Sequence, residues 1–237
     1  MGPGLFGTFF WKGTVPNQKK RRHKIKEQLL NLIYPKVCGI CGKGKATYLC
    51  KKCENKLKTI AIFGKDEYMC KHFENHYYIF KYDNLIRKLI IDYKFNEKPY
   101  LYRSFLEFLN NYQKEYIQFK IYDIIIPVPI SKKRKKERGY NQSLLIARKI
   151  SSKEKIKLGD KVISKVKNNN TQSKLNKEER AENVKNVYKI TKDKEIINKN
   201  ILLIDDIYTT GATLNECSRM LKQAGAKKID VLTIAKD

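Results

Sequence analysis

Two adjacent acids, Asp205 and Asp206, close the apolar run 201–204, and the stretch "TTGAT" follows at 209–213. A buried strand that ends on paired carboxylates delivers both to one edge of a sheet, and in open α/β sheets ligands bind beyond that edge. The stretch after the acids can turn successive backbone N–H groups and the hydroxyls of Thr209, Thr210 and Thr213 toward one anion. Gly211 permits the close backbone approach this needs. A helix starting at the turn adds partial positive charge. A phosphate loop beside two carboxylates suits a phosphorylated sugar. The acids accept hydrogen bonds from ribose hydroxyls, directly or through a hard cation such as Mg²⁺. A helix-capping loop with coincidental acids is the plainer reading of the same residues.

A second constellation lies near the start. Cys38, Cys41, Cys50 and Cys53 stand as "CGICGKGKATYLCKKC", two C-x2-C knuckles separated by eight residues. Four thiolates brought together by a hairpin suit a closed, structural zinc site. Two disulfides, or a redox C-x-x-C, are the rival readings. A cytoplasmic location disfavours the first, and the second needs a thioredoxin-like βαβ context. Cys70 with His72 has no partner knuckle, and Cys217 reads as a small core residue.

The chain that must position these groups has 237 residues, with 51 Lys and Arg against 24 Asp and Glu. That formal charge of +27 predicts attraction to polyanions, although an AT-rich genome supplies lysine as well. From Ile196 onward cations and acids nearly balance, so the excess belongs to the earlier residues. No apolar run reaches the ~18 residues of a membrane span. The glycine-broken start "MGPGLFGTFFWKG" lacks a basic n-region and a cleavage site, so the expectation is a cytoplasmic protein without membrane insertion.

Residues 1–22 read as a disordered extension. Residues 23–75 read as an amphipathic helix (about 23–36), the cysteine module (about 37–57) and a polar link. The main domain is expected over 76–237. It opens with a helix bearing Leu85, Ile86, Leu89, Ile90 and Tyr93, with Asp83 as N-cap, and a second helix at about 99–115 with Leu101, Phe105, Leu106 and Leu109 inward. "YDIIIPVPI" reads as a buried strand, "SKKRKKERGYNQ" as a basic loop, and about 141–152 as a helix. Strands are expected at "VISKV", near 187–190, at 201–204 and at 229–234, with a helix at 213–224 and a mobile loop after "VISKV". Alternating strands and helices imply an α/β fold with a mainly parallel central sheet.

The stretch 201–213 resembles the phosphoribosyl pyrophosphate (PRPP) motif of type I phosphoribosyltransferases. "PVPISKKRKKERGYNQ", "QSKLNKEERAENV", "DDIYTTGAT" and the four-cysteine knuckle together resemble the competence protein F (ComF or ComFC) family, over about residues 25–237. The resemblance implies a zinc ribbon joined to a phosphoribosyltransferase domain and a part in the uptake and processing of transforming DNA. It also implies catalytic Asp205 and Asp206 on ribose and Thr209, Thr210, Gly211, Ala212 and Thr213 on the 5′-phosphate. Arg134, Arg138 and Gly139 fall at the pyrophosphate, and Arg180 and Asn183 on a mobile flap. PRPP with Mg²⁺ is the expected ligand and zinc the structural metal. Single-stranded DNA and a competence helicase are the expected partners if the chain acts as a non-catalytic adaptor.

Overall fold

The computed structural model describes residues 36–43, 47–68, 72–112, 116–167 and 187–237. The expected extension at 1–22, the helix at about 23–36, Cys70, and the flap with Arg180 and Asn183 lie outside the described residues. Residues 37–237 form one compact unit.

Its centre is a sheet in the order β1 (Ala61–Glu67), β2 (Asn75–Lys81), β9 (Lys228–Lys236), β7 (Asn200–Ile204), β3 (Ile124–Pro127) and β4 (Lys157–Leu158). A short β8 (Ile207–Tyr208) runs beside the end of β9. Every neighbouring pair is parallel except β1 with β2, as the α/β reading requires. A separate antiparallel pair joins β5 (Ile163–Lys165) to β6 (Tyr188–Ile190).

The central strands carry nearly unbroken apolar runs because both faces of the sheet are covered. Side chains alternate between faces. Ile125, Leu202, Ile204 and Leu232 enter one core with Phe105, Leu109 and Ile146. Ile124, Ile126, Ile201 and Leu203 enter the other with Leu214, Cys217 and Leu221. The first face is covered by α2 (Asn84–Phe95), α3 (Leu101–Tyr112) and α5 (Gln142–Glu154). The second is covered by α6 (Ala212–Gln223) and the β5–β6 pair. Asp83 caps α2 as expected, its carboxylate accepting from the Ile86 amide at 2.9 Å.

Three expectations are corrected. The polar link contains β1, and "NHYYIFK" leading toward α2 is the strand β2, whose first six residues are buried between β1 and β9. The basic loop after β3 is a helix, α4 (Lys132–Arg138). Ser131 starts it by accepting the Arg134 amide, and Gly139 stops it in the left-handed region at φ 76°.

Candidate functional site

β3 and β7 end at the same level, with Pro127 opposite Ile204, and Ile204 in turn opposite Leu232 of β9. The segments leaving β3 and β7 therefore rise side by side from the carboxyl edge of the sheet. Between them lies a cavity of about 370 Å³. Asp205, Asp206 and every residue from Thr209 to Thr213 line it, as do Arg134 and Arg138 of α4. Gly139 lies next in the chain, at the C-cap of α4, and does not line it.

The two acids have different surroundings. Asp206 pairs with Lys94 of α2 at 2.8 Å, both side chains largely sheltered from solvent. Asp205 accepts from the Ser143 hydroxyl and from the Asp206 amide, both at 2.9 Å on Oδ1. Burial and the neighbouring Asp206 charge push the Asp205 carboxyl up to about 7, against the pull of Lys94 and of those two hydrogen bonds. Near neutral pH Asp205 is therefore in part protonated, which eases the repulsion between the two acids.

The loop between the acids and α6 is built for close approach. Gly211 adopts φ 73° as the N-cap of α6. A Cβ there would stand 2.5 Å from the Tyr208 hydroxyl. Gly211 has no side chain to cap α6, and Thr210 Oγ1 meets the Ala212 amide only at 3.4 Å. The helix thus turns its positive end toward the cavity. Behind the loop, Tyr208 stacks on His76 at 4.4 Å and on Tyr68 at 5.9 Å, which fixes the turn from below.

The remaining walls differ in character. Arg138 lies with its guanidinium 4.7 Å from the Phe95 ring centroid and donates to Gln142 Oε1 at 3.2 Å. Burial lowers its affinity for the proton. Tyr82, Ile90, Ile91, Phe95 and Ile207 make an apolar side. Lys165 and Tyr188, from the β5–β6 pair, make another wall. Lys94, Ser143, Lys165 and Tyr188 were not singled out from the sequence. No local motif marks them; only the strand and helix packing brings them to the acids.

The cysteine module forms a second site. The Sγ atoms of Cys38, Cys41, Cys50 and Cys53 all lie within 4.8 Å of one another, and none is in a disulfide. Tetrahedral sulfur around zinc at ~2.3 Å places sulfurs about 3.8 Å apart. The Cys41–Cys50 separation is 3.7 Å. Burial raises the Cys38 thiol, but amides of Cys50, Cys41 and Ile40 aimed at its sulfur outweigh this and bring it down to about 7. Burial and the three neighbouring cysteines push Cys53 upward. Four thiols so placed fit a metal such as zinc, which would relieve that crowding by binding them as thiolates.

The module is seated on α3. Ser104 donates to the Tyr48 carbonyl at 2.6 Å, and Glu107 accepts the Tyr48 amide at 2.9 Å. Glu54 of α1 (Lys51–Lys58) accepts from Tyr112 at 2.7 Å and Asn111 at 3.0 Å.

Among the described residues, no helix is long and apolar enough to cross a membrane. The phosphoribosyl transferase domain family matches residues 141–237. With the mostly parallel sheet and the acid pair at its edge, the fold is that of a type I phosphoribosyltransferase, preceded by a cysteine cluster consistent with a zinc ribbon. The chain is similar to competence protein ComFC of Bacillus subtilis, 29% identical over 194 residues that make up 80% of this chain and 72% of the relative. Competence protein ComFC of Streptococcus pneumoniae is 32% identical over 170 residues, 68% of each chain. Competence protein F of Haemophilus influenzae is 30% identical over 203 residues, 84% of each chain. Identity at that level over most of both chains places this protein in the competence protein F family.

Proposed function

We propose that the cavity binds PRPP together with Mg²⁺, that the cysteine cluster holds zinc, and that the protein serves the uptake or processing of transforming DNA in the cytoplasm. The observation that carries the reading is the meeting of the Asp205–Asp206 pair with the uncapped start of α6 at one sheet edge. In this reading the acids hold the ribose hydroxyls or the cation, and residues 209–213 hold the 5′-phosphate. Arg134, Arg138 and Gly139 serve the pyrophosphate, and Arg180 and Asn183 belong to the closing flap.

Bound Mg²⁺ would neutralise phosphate oxygens and assist departure of pyrophosphate. The chain itself orients C1 for attack by an acceptor and stabilises the leaving charge, which is all that transfer of a phosphoribosyl group demands of it. Competence names on three relatives support the DNA role.

A second reading is favoured by α4. Lys132, Lys133, Lys135 and Lys136 are exposed and form ion pairs with no described residue. They suit a non-catalytic PRPP-responsive adaptor that binds single-stranded DNA or a competence helicase.

Calorimetric titration with PRPP and Mg²⁺ tests the first reading. Wild type should bind, and D206N should bind at least about tenfold more weakly, the loss expected for a hydrogen bond to a charged group. Equal affinity for the two proteins, or no binding by wild type, overturns it. Pyrophosphate release with candidate acceptors then separates enzyme from adaptor.

A further inference from the structure

Counting charges around the cavity leaves an imbalance. Among the described residues Lys94 is spent on Asp206, and Asp205 is held by Ser143 and an amide. The direct contacts of Arg138 among the described residues are neutral, Gln142 and the Phe95 ring. Arg134 and Lys165 both line the cavity, and neither forms an ion pair with a described residue. With the two acids already engaged, these cations share one cavity with no direct counter-ion among the described residues, an arrangement that an entering anion stabilises.

Lys165 is the less expected of the two. It ends β5 directly opposite Tyr188 of β6, and its ammonium lies 5.5 Å from that ring centroid. Tyr188 is buried and lines the cavity together with Thr213, in the loop after the acids. The β5–β6 pair thereby carries a lysine to the same anion-facing wall as α4 and the start of α6.

We propose that Lys165 is a polyphosphate-binding residue of this pocket, closing with Arg134 on one multiply charged anion. The proposal rests on the PRPP reading and names a contact that the motifs do not contain. Its physical consequence is a proton linkage. Burial and then the Arg134 charge bring the Lys165 ammonium down to about 8. The other groups facing it are Asp205 from the end of β7, the Cys217 thiol of α6 and the Tyr188 phenol of β6. Burial pushes Cys217 and Tyr188 well up, so both stay uncharged. Near pH 8 Lys165 is therefore partly deprotonated, and an anion beside it draws in protons from solvent.

The test is calorimetric titration at pH 8 with inorganic pyrophosphate and, separately, with PRPP and Mg²⁺. Buffers of different ionisation enthalpy give the protons taken up per ligand. The proteins are wild type, K165M and K165R. K165M should bind either ligand about tenfold or more weakly. K165R should restore most of the affinity, yet take up measurably fewer protons than wild type, because arginine stays protonated throughout. Protons exchanged by Asp205 or by pyrophosphate itself are common to both proteins and cancel in the difference.

A lysine that merely packs on Tyr188 would not show that split between affinity and proton count. K165M binding within twofold of wild type, or identical proton uptake by wild type and K165R, overturns the proposal. Wild type that takes pyrophosphate but not PRPP sinks the PRPP reading and leaves the three-way pyrophosphate comparison decisive for Lys165. Wild type that takes neither removes both.

Discussion

The Gly211→Ala substitution separates two costs that the structure lets one calculate apart. Holding a non-glycine residue in the left-handed region at φ 73° costs about 1–2 kcal/mol. The new methyl would also sit 2.5–2.6 Å from the hydroxyl and ring carbons of Tyr208. That ring cannot step aside, because it is 5% exposed and lies stacked on His76 and Tyr68. The turn must move instead, at a further cost of about 1–3 kcal/mol for overpacking. The sum is about 2–5 kcal/mol, or roughly 5 to 20 °C in melting temperature for a unit of this size. Gly139→Ala is the internal control. It has φ 76° but no atom within 4 Å of the added methyl, so it meets the backbone cost alone. Thermal melting of the two variants beside wild type should place G211A clearly below G139A. If G211A melts no lower than G139A, Tyr208 does not buttress the loop as described.

The remaining predictions concern the acid pair and the cysteines. Asp205 is raised to about 7, above the ordinary value of 3.8, so its protonated form stabilises the fold; that contribution is full below about pH 4 and lost as pH rises through 7. D205N keeps an oxygen for Ser143 and the Asp206 amide and should melt higher than wild type at pH 8, with the gap closing toward pH 4; a gap independent of pH refutes the assignment. Stripping the metal from the cysteine cluster with a chelator should release one zinc per chain and lower the melting temperature by at least about 10 °C, since a structural metal's binding energy is also folding energy. A metal-free protein melting at the same temperature contradicts that reading.

Much of the fold was legible where local chemistry and tertiary outcome agree. Asp83 caps a helix, Ile201 to Ile204 are a strand buried on both faces, and the order of acids, loop and helix survives intact. The basic segment misled because six cations in eight residues suggest repulsion. A serine cap, a left-handed glycine and partial burial of Arg134 and Arg138 were enough for seven residues of helix. β2 was missed because residues 75–80 are all buried and show no alternation; β9 and β1 flank it at its edges, and the covering of both faces decides its state. Lys94 and Lys165 carry no local signal. One projects from the last turn of a helix and the other from a three-residue strand, and only packing reveals that they share a cavity.

The seating of the cysteine module on α3 bears on how the chain is made. Cys38, Leu49, Cys53 and Leu57 share a core with Phe105 and Leu109, so the module is part of the main core and has no separate core of its own. Their covering helix follows about sixty residues later, which at ordinary rates of synthesis is about 3–12 s. During that interval the four thiols would lack the cover that α3 gives them in the folded chain. Zinc captured then would hold the knuckles in shape until α3 arrives. A thiol oxidised in the same interval would leave α3 without the surface it is meant to cover.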